Sequence, residues 1–154
     1  MIMRKNILLS LLLTIALLVC GCDDRTPIER ANELLKARHF QTVQSLDSVM
    51  GYSSVHSQLM AAYNLYWHTD SVLAAHKNSN TPLRRDEREE LLADGDIAYK
   101  LKLNAAKDRL ARKLNKEPET LQGYSVVLAD STSCSVMTVY FDKDIKRIVS
   151  IDKK

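Results

Sequence analysis

Residues 123–151 read GYSVVLADSTSCSVMTVYFDKDIKRIVSI, and this stretch decides the fold. The residue types enriched in strands, Val, Ile, Tyr and Thr, recur here with a period of about 2, whereas the residues before Gly123 follow the helical period of about 3.6. Polar triplets at residues 130–132 and 142–144 divide the stretch into strands over residues 124–129, about 133–141 and 145–151. The pattern therefore predicts a C-terminal three-stranded antiparallel meander over about residues 124–152.

The part of the chain that precedes this meander has its apolar residues at helical spacing. Residues 26–29, TPIE, combine an N-cap threonine, a proline at the first helical position and a glutamate placed for a capping box. Apolar residues then recur at helical spacing on both sides of a corner at His39, up to Gly51, which suits a helix C-cap. These features predict a helical hairpin over residues 27–51.

Two longer helices follow in the prediction, separated by the polar loop KNSNTP at residues 77–82. The first begins at Ser53 or Ser54 and runs to about residue 77, and the second covers about residues 83–116. Gly95, flanked by two aspartates, is expected to divide the second, because glycine disfavours helix interiors and aspartate is a good N-cap. The predicted fold class is α+β, with one domain at residues 27–154 that is helical over about residues 27–116.

The first 21 residues differ in chemistry from the rest of the chain. Arg4 and Lys5 precede the apolar run ILLSLLLTIALLVC at residues 7–20. As a helix, this run would span about 21 Å, which is short of the ~30 Å hydrocarbon core of a bilayer. A cationic start followed by a short apolar run is typical of a signal peptide.

The end of the leader, LVCGC at residues 18–22, resembles the lipobox of bacterial lipoproteins. Gly21 is the small residue before Cys22, and Val19 lies three positions before that cysteine. The resemblance implies cleavage between Gly21 and Cys22, a diacylglyceryl thioether with palmitate on Cys22, and a membrane contact made through that lipid. Residues 22–26 would then form a lipidated tether. A signal anchor, or a secreted protein with a spare thiol, is the alternative.

Asp23 and Asp24 follow this cysteine directly. Acidic residues at these positions resemble two sorting signals, the inner-membrane retention aspartate of enteric bacteria and the acidic export tract of surface lipoproteins in the Bacteroidetes. Together with the small helical domain and terminal meander, the resemblance to Bacteroidetes-type lipoproteins favours the outer membrane over the inner. Solvated linker residues without a sorting role are the other interpretation.

The charge balance argues against nucleic acid as a partner. The whole chain has 22 basic and 19 acidic residues, but the leader carries two of the basic ones and no acid. The remaining 133 residues are therefore close to neutral, with charges of both signs interspersed. Binding of phosphate backbones requires a clustered positive field, which this distribution does not provide.

A search for chemistry-bearing patterns finds neither a catalytic nor a metal-binding motif. The four histidines lack the i, i+4 spacing that converges on zinc, no serine lies in a nucleophile elbow, and no glycine-rich phosphate loop is present. Cys134 lies among apolar residues and is expected to be a buried, inert thiol. We therefore expect no enzyme activity, no metal and no cofactor.

An aromatic cluster is the remaining candidate site. Tyr63, Tyr66 and Trp67 lie on the predicted central helix, and Tyr52 lies just before its start. Such residues form interaction hot spots in interfaces, although at helical spacing they also serve as core. The leading hypothesis is a non-enzymatic, lipid-anchored envelope protein that binds another protein or an envelope component. The alternative is an inhibitor or immunity-type lipoprotein that acts on an envelope hydrolase.

Overall fold

A computed structural model describes residues 24–129 and 135–154. Over these residues the chain is α+β, which confirms the predicted fold class. The helices and strands of this part are α1 (Pro27–Ala37), β1 (Asp47–Gly51), α2 (Ser53–Ser79), α3 (Arg85–Leu114), β2 (Thr120–Ala129), β3 (Val136–Asp142) and β4 (Ile148–Lys153). The expected cleavage and lipidation residues Gly21 and Cys22, the first of the two aspartates, Asp23, and the thiol of Cys134 lie outside the described residues.

The sheet has the strand order β1-β2-β3-β4, with every neighbouring pair antiparallel. Its last three strands are the predicted meander. β2 and β3 pair without interruption from Gly123 opposite Asp142 to Ala129 opposite Val136. β3 and β4 pair with a shift beside Tyr140, and this shift brings Ile148 and Ile151 opposite Phe141 and Val139, which share one face.

The predicted helical hairpin at residues 27–51 is wrong in its second half. Residues 47–51 form β1, which pairs with β2 from Asp47 opposite Ser125 to Gly51 opposite Thr120. The apolar residues here fit helical spacing, but the run is too short to distinguish the two periods. The backbone groups along the free edge of β2 need partners, and β1 provides them. Gly51 therefore ends a strand and not a helix.

The start of the last strand is also corrected. It was expected at Ile145, but β4 begins at Ile148. Residues 142–147 form a turn in which Ile145 has a left-handed φ of 52° and a buried side chain. The Asp142 carboxylate accepts backbone hydrogen bonds from Lys146 and Arg147, at 2.7 and 3.2 Å. This aspartate satisfies the turn's own N–H groups, as Asp side chains do in Asx-turns.

The helix ends are set by local contacts. At the start of α1, Glu29 N–H donates to Thr26 Oγ1 at 3.3 Å, and Thr26 N–H donates to a Glu29 carboxylate oxygen at 2.6 Å, so the predicted capping box is confirmed. α3 continues through Gly95, however, and the predicted division there is wrong. A glycine costs a helix interior only about 1 kcal/mol, which the packing of α3 on α2 outweighs.

The helices lie in layers on both sides of the sheet. Ala31 and Leu35 of α1 pack into a core with Val139, Phe141 and other residues from β2, β3 and β4. Tyr140 points to the opposite face, because successive side chains alternate, and it stacks there on Tyr63 of α2. α3 packs chiefly on α2 and is the outermost layer. α2 contacts the face of the sheet opposite α1 through Tyr63, runs chiefly along the edge strand β4, and reaches the main core through Trp67. In the described ranges, no helix combines the length and the hydropathy required to cross a bilayer.

Candidate interaction surface

The predicted aromatic site lies between α2, α3 and the sheet. The Tyr63 and Tyr140 rings stack with centroids 5.5 Å apart. Lys102 of α3 places its ammonium 5.2 Å from the Tyr63 centroid and 4.9 Å from the Tyr66 centroid. Both tyrosines are half-buried. These cation–π contacts connect α3 to α2, and they occupy ring faces that a partner would otherwise use.

Trp67 is also engaged within the chain. It is half-buried against the main core, and the Lys153 ammonium lies 5.2 Å from its ring centroid. The structure thus brings Tyr63 and Tyr66 together around Lys102 and directs Trp67 to β4. Their expected role in partner binding stays a prediction, and their most direct contacts are intramolecular. Asp24, at the start of the described chain, is exposed.

Burial favours the neutral forms of the titratable groups around these rings. Burial, followed by the nearby Asp152 carboxylate, raises the pKa of Tyr63, and burial together with Tyr63 and Asp152 raises the pKa of Tyr140. Burial also raises the pKa of Asp152, against the opposing charge of Lys102. On the other side of a cavity of about 190 Å³, burial lowers the pKa of His56. The phenols remain hydrogen-bond donors at neutral pH, a structural role.

Two histidine–carboxylate pairs join the long helices. His68 Nδ1 lies 3.4 Å from an Asp94 oxygen, and His76 Nε2 lies 3.7 Å from a Glu87 oxygen. These pairs cross from α2 to α3. Within residues 24–129 and 135–154, no group of three His, Cys, Asp or Glu side chains is placed to hold a metal ion.

The outer face of α3 carries a row of exposed apolar residues, which we call the α3 stripe. Its large members are far from buried: Leu92 is 66% exposed, Tyr99 64%, Leu110 61% and Leu114 74%. At about 100° per residue, these residues lie on one side of the helix, turned about 120° from the Ala98 side that meets α2. The α3 stripe consists of Leu92, Tyr99, Leu103, Ala106, Leu110 and Leu114.

The charge along α3 changes sign from one end to the other. Residues 85–96 are predominantly acidic, and residues 97–114 are predominantly basic. Beside the basic end of the stripe lies a groove of about 280 Å³ between α2 and α3. Its floor includes Val55, Leu59 and Ala105, and its rim carries Lys102, Arg109 and Lys113. The stripe itself consists of uncharged residues, and the charges that surround it are mostly acidic toward its N-terminal end and mostly basic toward its C-terminal end.

Sequence reasoning missed this surface, although a signal for it exists. Leu92, Tyr99, Leu103, Ala106 and Leu110 follow one another at spacings of seven, four, three and four residues, the pattern of a coiled-coil seam. The predicted break at Gly95 concealed it, because this break divided the pattern. A continuous helix is needed before the row becomes apparent.

Comparison with known proteins adds no relative: no family model matches the chain, and no curated protein or solved structure matches it significantly. The function therefore has to be inferred from the geometry and chemistry of the chain.

Proposed function

We propose that this protein is a lipid-anchored component of a bacterial cell envelope that acts by binding and not by catalysis. In this proposal Cys22 carries the lipid, Asp23 and Asp24 direct sorting to the outer membrane, and the α3 stripe makes a protein–protein contact. The exposure of the α3 stripe is the observation that carries the proposal.

The anchor proposal is supported by the order of features at the N-terminus. A cationic start, a short apolar run, Gly21 and Cys22 follow one another as in bacterial lipoproteins. α1 begins at Pro27, a few residues after the proposed lipid. At about 3.5 Å per residue, residues 22–26 reach no more than about 18 Å, so the domain would lie close to its membrane.

The binding proposal is supported by the size and composition of the exposed row. Large exposed apolar patches on a folded domain typically mark interaction sites. Leucine and tyrosine at 3-4 spacing fit an opposing helix. A bilayer is a poorer match, because Asp96 lies within the row and Glu89 at its end, where anionic lipid would repel them. α3 packs on α2, whereas α1, which follows the proposed anchor, packs on the sheet.

A photocrosslinking experiment in cells tests this proposal. A photoreactive amino acid replaces Leu103 in the full chain, and as a matched control it replaces Val127, an apolar residue on β2 that is 57% exposed. We expect a protein adduct at position 103 and none at position 127. Equal adduct yields at both positions, or none at position 103 in a folded, membrane-associated chain, would contradict the proposal.

A further inference from the structure

We infer that the α3 stripe binds the α3 stripe of a second copy of this chain, with the two helices antiparallel. This inference rests on the proposed function, since it identifies the partner of that same surface. Its first support is the segregation of charge on α3. Residues 85–96 carry Arg85 and Arg88 against Asp86, Glu87, Glu89, Glu90, Asp94 and Asp96. Residues 97–114 carry Asp108 against Lys100, Lys102, Lys107, Arg109, Arg112 and Lys113.

Such a helix is complementary to itself only in one direction. In an antiparallel pair the acidic half of each copy lies beside the basic half of the other, whereas in a parallel pair like charges would face each other along the whole length. Near the two-fold axis some lysines do approach one another. Of these, Lys102 is held over Tyr63 and Tyr66 of its own chain.

The spacing of the row specifies a register. When the two helices cross at residue 101, Leu92 lies opposite Leu110 of the second copy, and Tyr99 lies opposite Leu103. Asp96 meets the small residue Ala106 and lies near Lys107 of the second copy. Glu89 lies opposite Lys113. Each of these pairs joins an a position to a d position, as antiparallel coiled coils require, and the symmetry repeats each pair.

The layer order is compatible with two copies on one membrane. The two-fold axis of an antiparallel pair is perpendicular to the plane that contains both helices. Because the α3 stripe faces about 120° from the α2 side, α2 of both copies lies on the same side of that plane. The sheet packs on α2 and α1 packs on the sheet, so this arrangement does not force the two proposed anchors to opposite sides of the pair.

Charge reversal in the full chain tests this register. With a photoreactive residue at position 103, we expect a covalent adduct of twice the chain's mass. Glu89→Lys or Lys113→Glu alone should lower the yield of this adduct at least about fivefold, because each single reversal places like charges together twice in the symmetric pair. The double variant restores opposite charges and should recover at least about half of the yield. Glu90→Lys and Lys143→Glu, which reverse exposed charges off the α3 stripe, are the controls.

The other outcomes distinguish between self-association, the proposed function and the antiparallel register. An adduct that contains only a different protein would overturn self-association and leave the proposed function intact. The absence of any adduct at position 103 in a folded chain would overturn both. A dimer adduct that the single reversals leave unchanged, or that the double variant fails to recover, would overturn the antiparallel register.

Discussion

At Gly123, a Cβ atom built on the backbone would lie 2.1 Å from the carbonyl oxygen of Phe141 on the neighbouring strand. A carbonyl in a strand ladder cannot rotate aside without loss of its hydrogen bonds. We therefore expect Gly123→Ala to lower the free energy of unfolding by about 2 kcal/mol or more. Urea unfolding measures the change. Gly51→Ala is the control, since nothing lies within 4 Å of a Cβ there. Equal effects of the two substitutions would contradict this explanation.

Substitution of Trp67 distinguishes between a core role and a partner-binding role of its indole. Because its ring packs against the main core and beneath Lys153, Trp67→Ala should lower the free energy of unfolding by about 2 kcal/mol. Leu73→Ala, an apolar truncation at a 44% exposed position of the same helix, should have a much smaller effect. If the thermal midpoint is unchanged in Trp67→Ala and only partner capture is lost, the indole belongs to an interface instead.

His56 should make the fold sensitive to mild acid. Burial lowers its pKa below the ordinary value of 6.5. Between the lowered value and 6.5, the unfolded chain binds a proton that the folded chain does not, so the free energy of unfolding falls as the pH falls through that window. Above pH 6.5, His56 is neutral in both states, and the free energy of unfolding no longer changes with pH on its account.

Urea unfolding at several pH values between about 7.5 and 5 measures this dependence. His56→Gln should flatten the decline, whereas His39→Asn, a change at an exposed histidine in a left-handed conformation, should leave it in place. Asp152 acts in the opposite sense at lower pH, because its raised pKa favours the folded state as pH falls. Identical pH profiles for the wild type and His56→Gln would contradict the assignment.

At the scale of elements, α3 shows how local and tertiary effects combine. Its interior glycine has intermediate exposure, and a Cβ at Gly95 would meet nothing within 4 Å. Gly95→Ala should therefore raise the free energy of unfolding by about 0.5–1 kcal/mol, through the lower conformational entropy of the unfolded chain. A chemical denaturation midpoint is sufficient to measure this. A decrease would mean that the helix requires a glycine at this position.

The meander and β1 differ in how much local sequence reveals. Residues 124–129 and 136–142 alternate or carry strand-forming residues between polar turns, so their structure can be predicted from the chain alone. β1 is five residues long and mostly exposed, with apolar residues that fit either period. Its strand conformation depends on β2, which lies about 70 residues away in sequence, so the distant pairing and not local propensity decides it.

For the candidate surface, too, local sequence predicts some features and distant contacts decide others. The aromatic residues were identified from type and spacing, but whether they are core or surface depended on Lys102 and Tyr140, which come from other elements. Conversely, the spacing of the α3 stripe can be recognised in the sequence. Which side of α3 remains uncovered becomes clear only because Ala98 and Ala105 are buried against α2. Burial is a tertiary property, and a single helical pattern does not determine it.

For the molecule as a whole, the proposed lipid anchor is the feature with the simplest test. We expect Cys22→Ala to abolish metabolic labelling with palmitate and to leave an unprocessed precursor, because the substituted residue would be the lipid acceptor. Cys134→Ala is the matched control and should remain labelled. Undiminished labelling of the Cys22→Ala chain would exclude this cysteine as the attachment point.

The attachment of α1 has a mechanical consequence. Tension between the proposed anchor and a partner on α3 enters the domain at Thr26 and passes through α1 first. This helix is held by side chains, among them Ala31, Leu35 and the two bonds between Asn32 and the Val43 backbone at 2.9 and 2.7 Å. The strands, by contrast, are connected by ladders of backbone bonds.

We therefore expect α1 to detach under load while the sheet, α2 and α3 stay folded. Residues 27–46 would then become an extended leash of up to about 70 Å. In the proposed anchored state, the domain would in this way extend its reach from the membrane several-fold while the proposed contact on α3 stays in place.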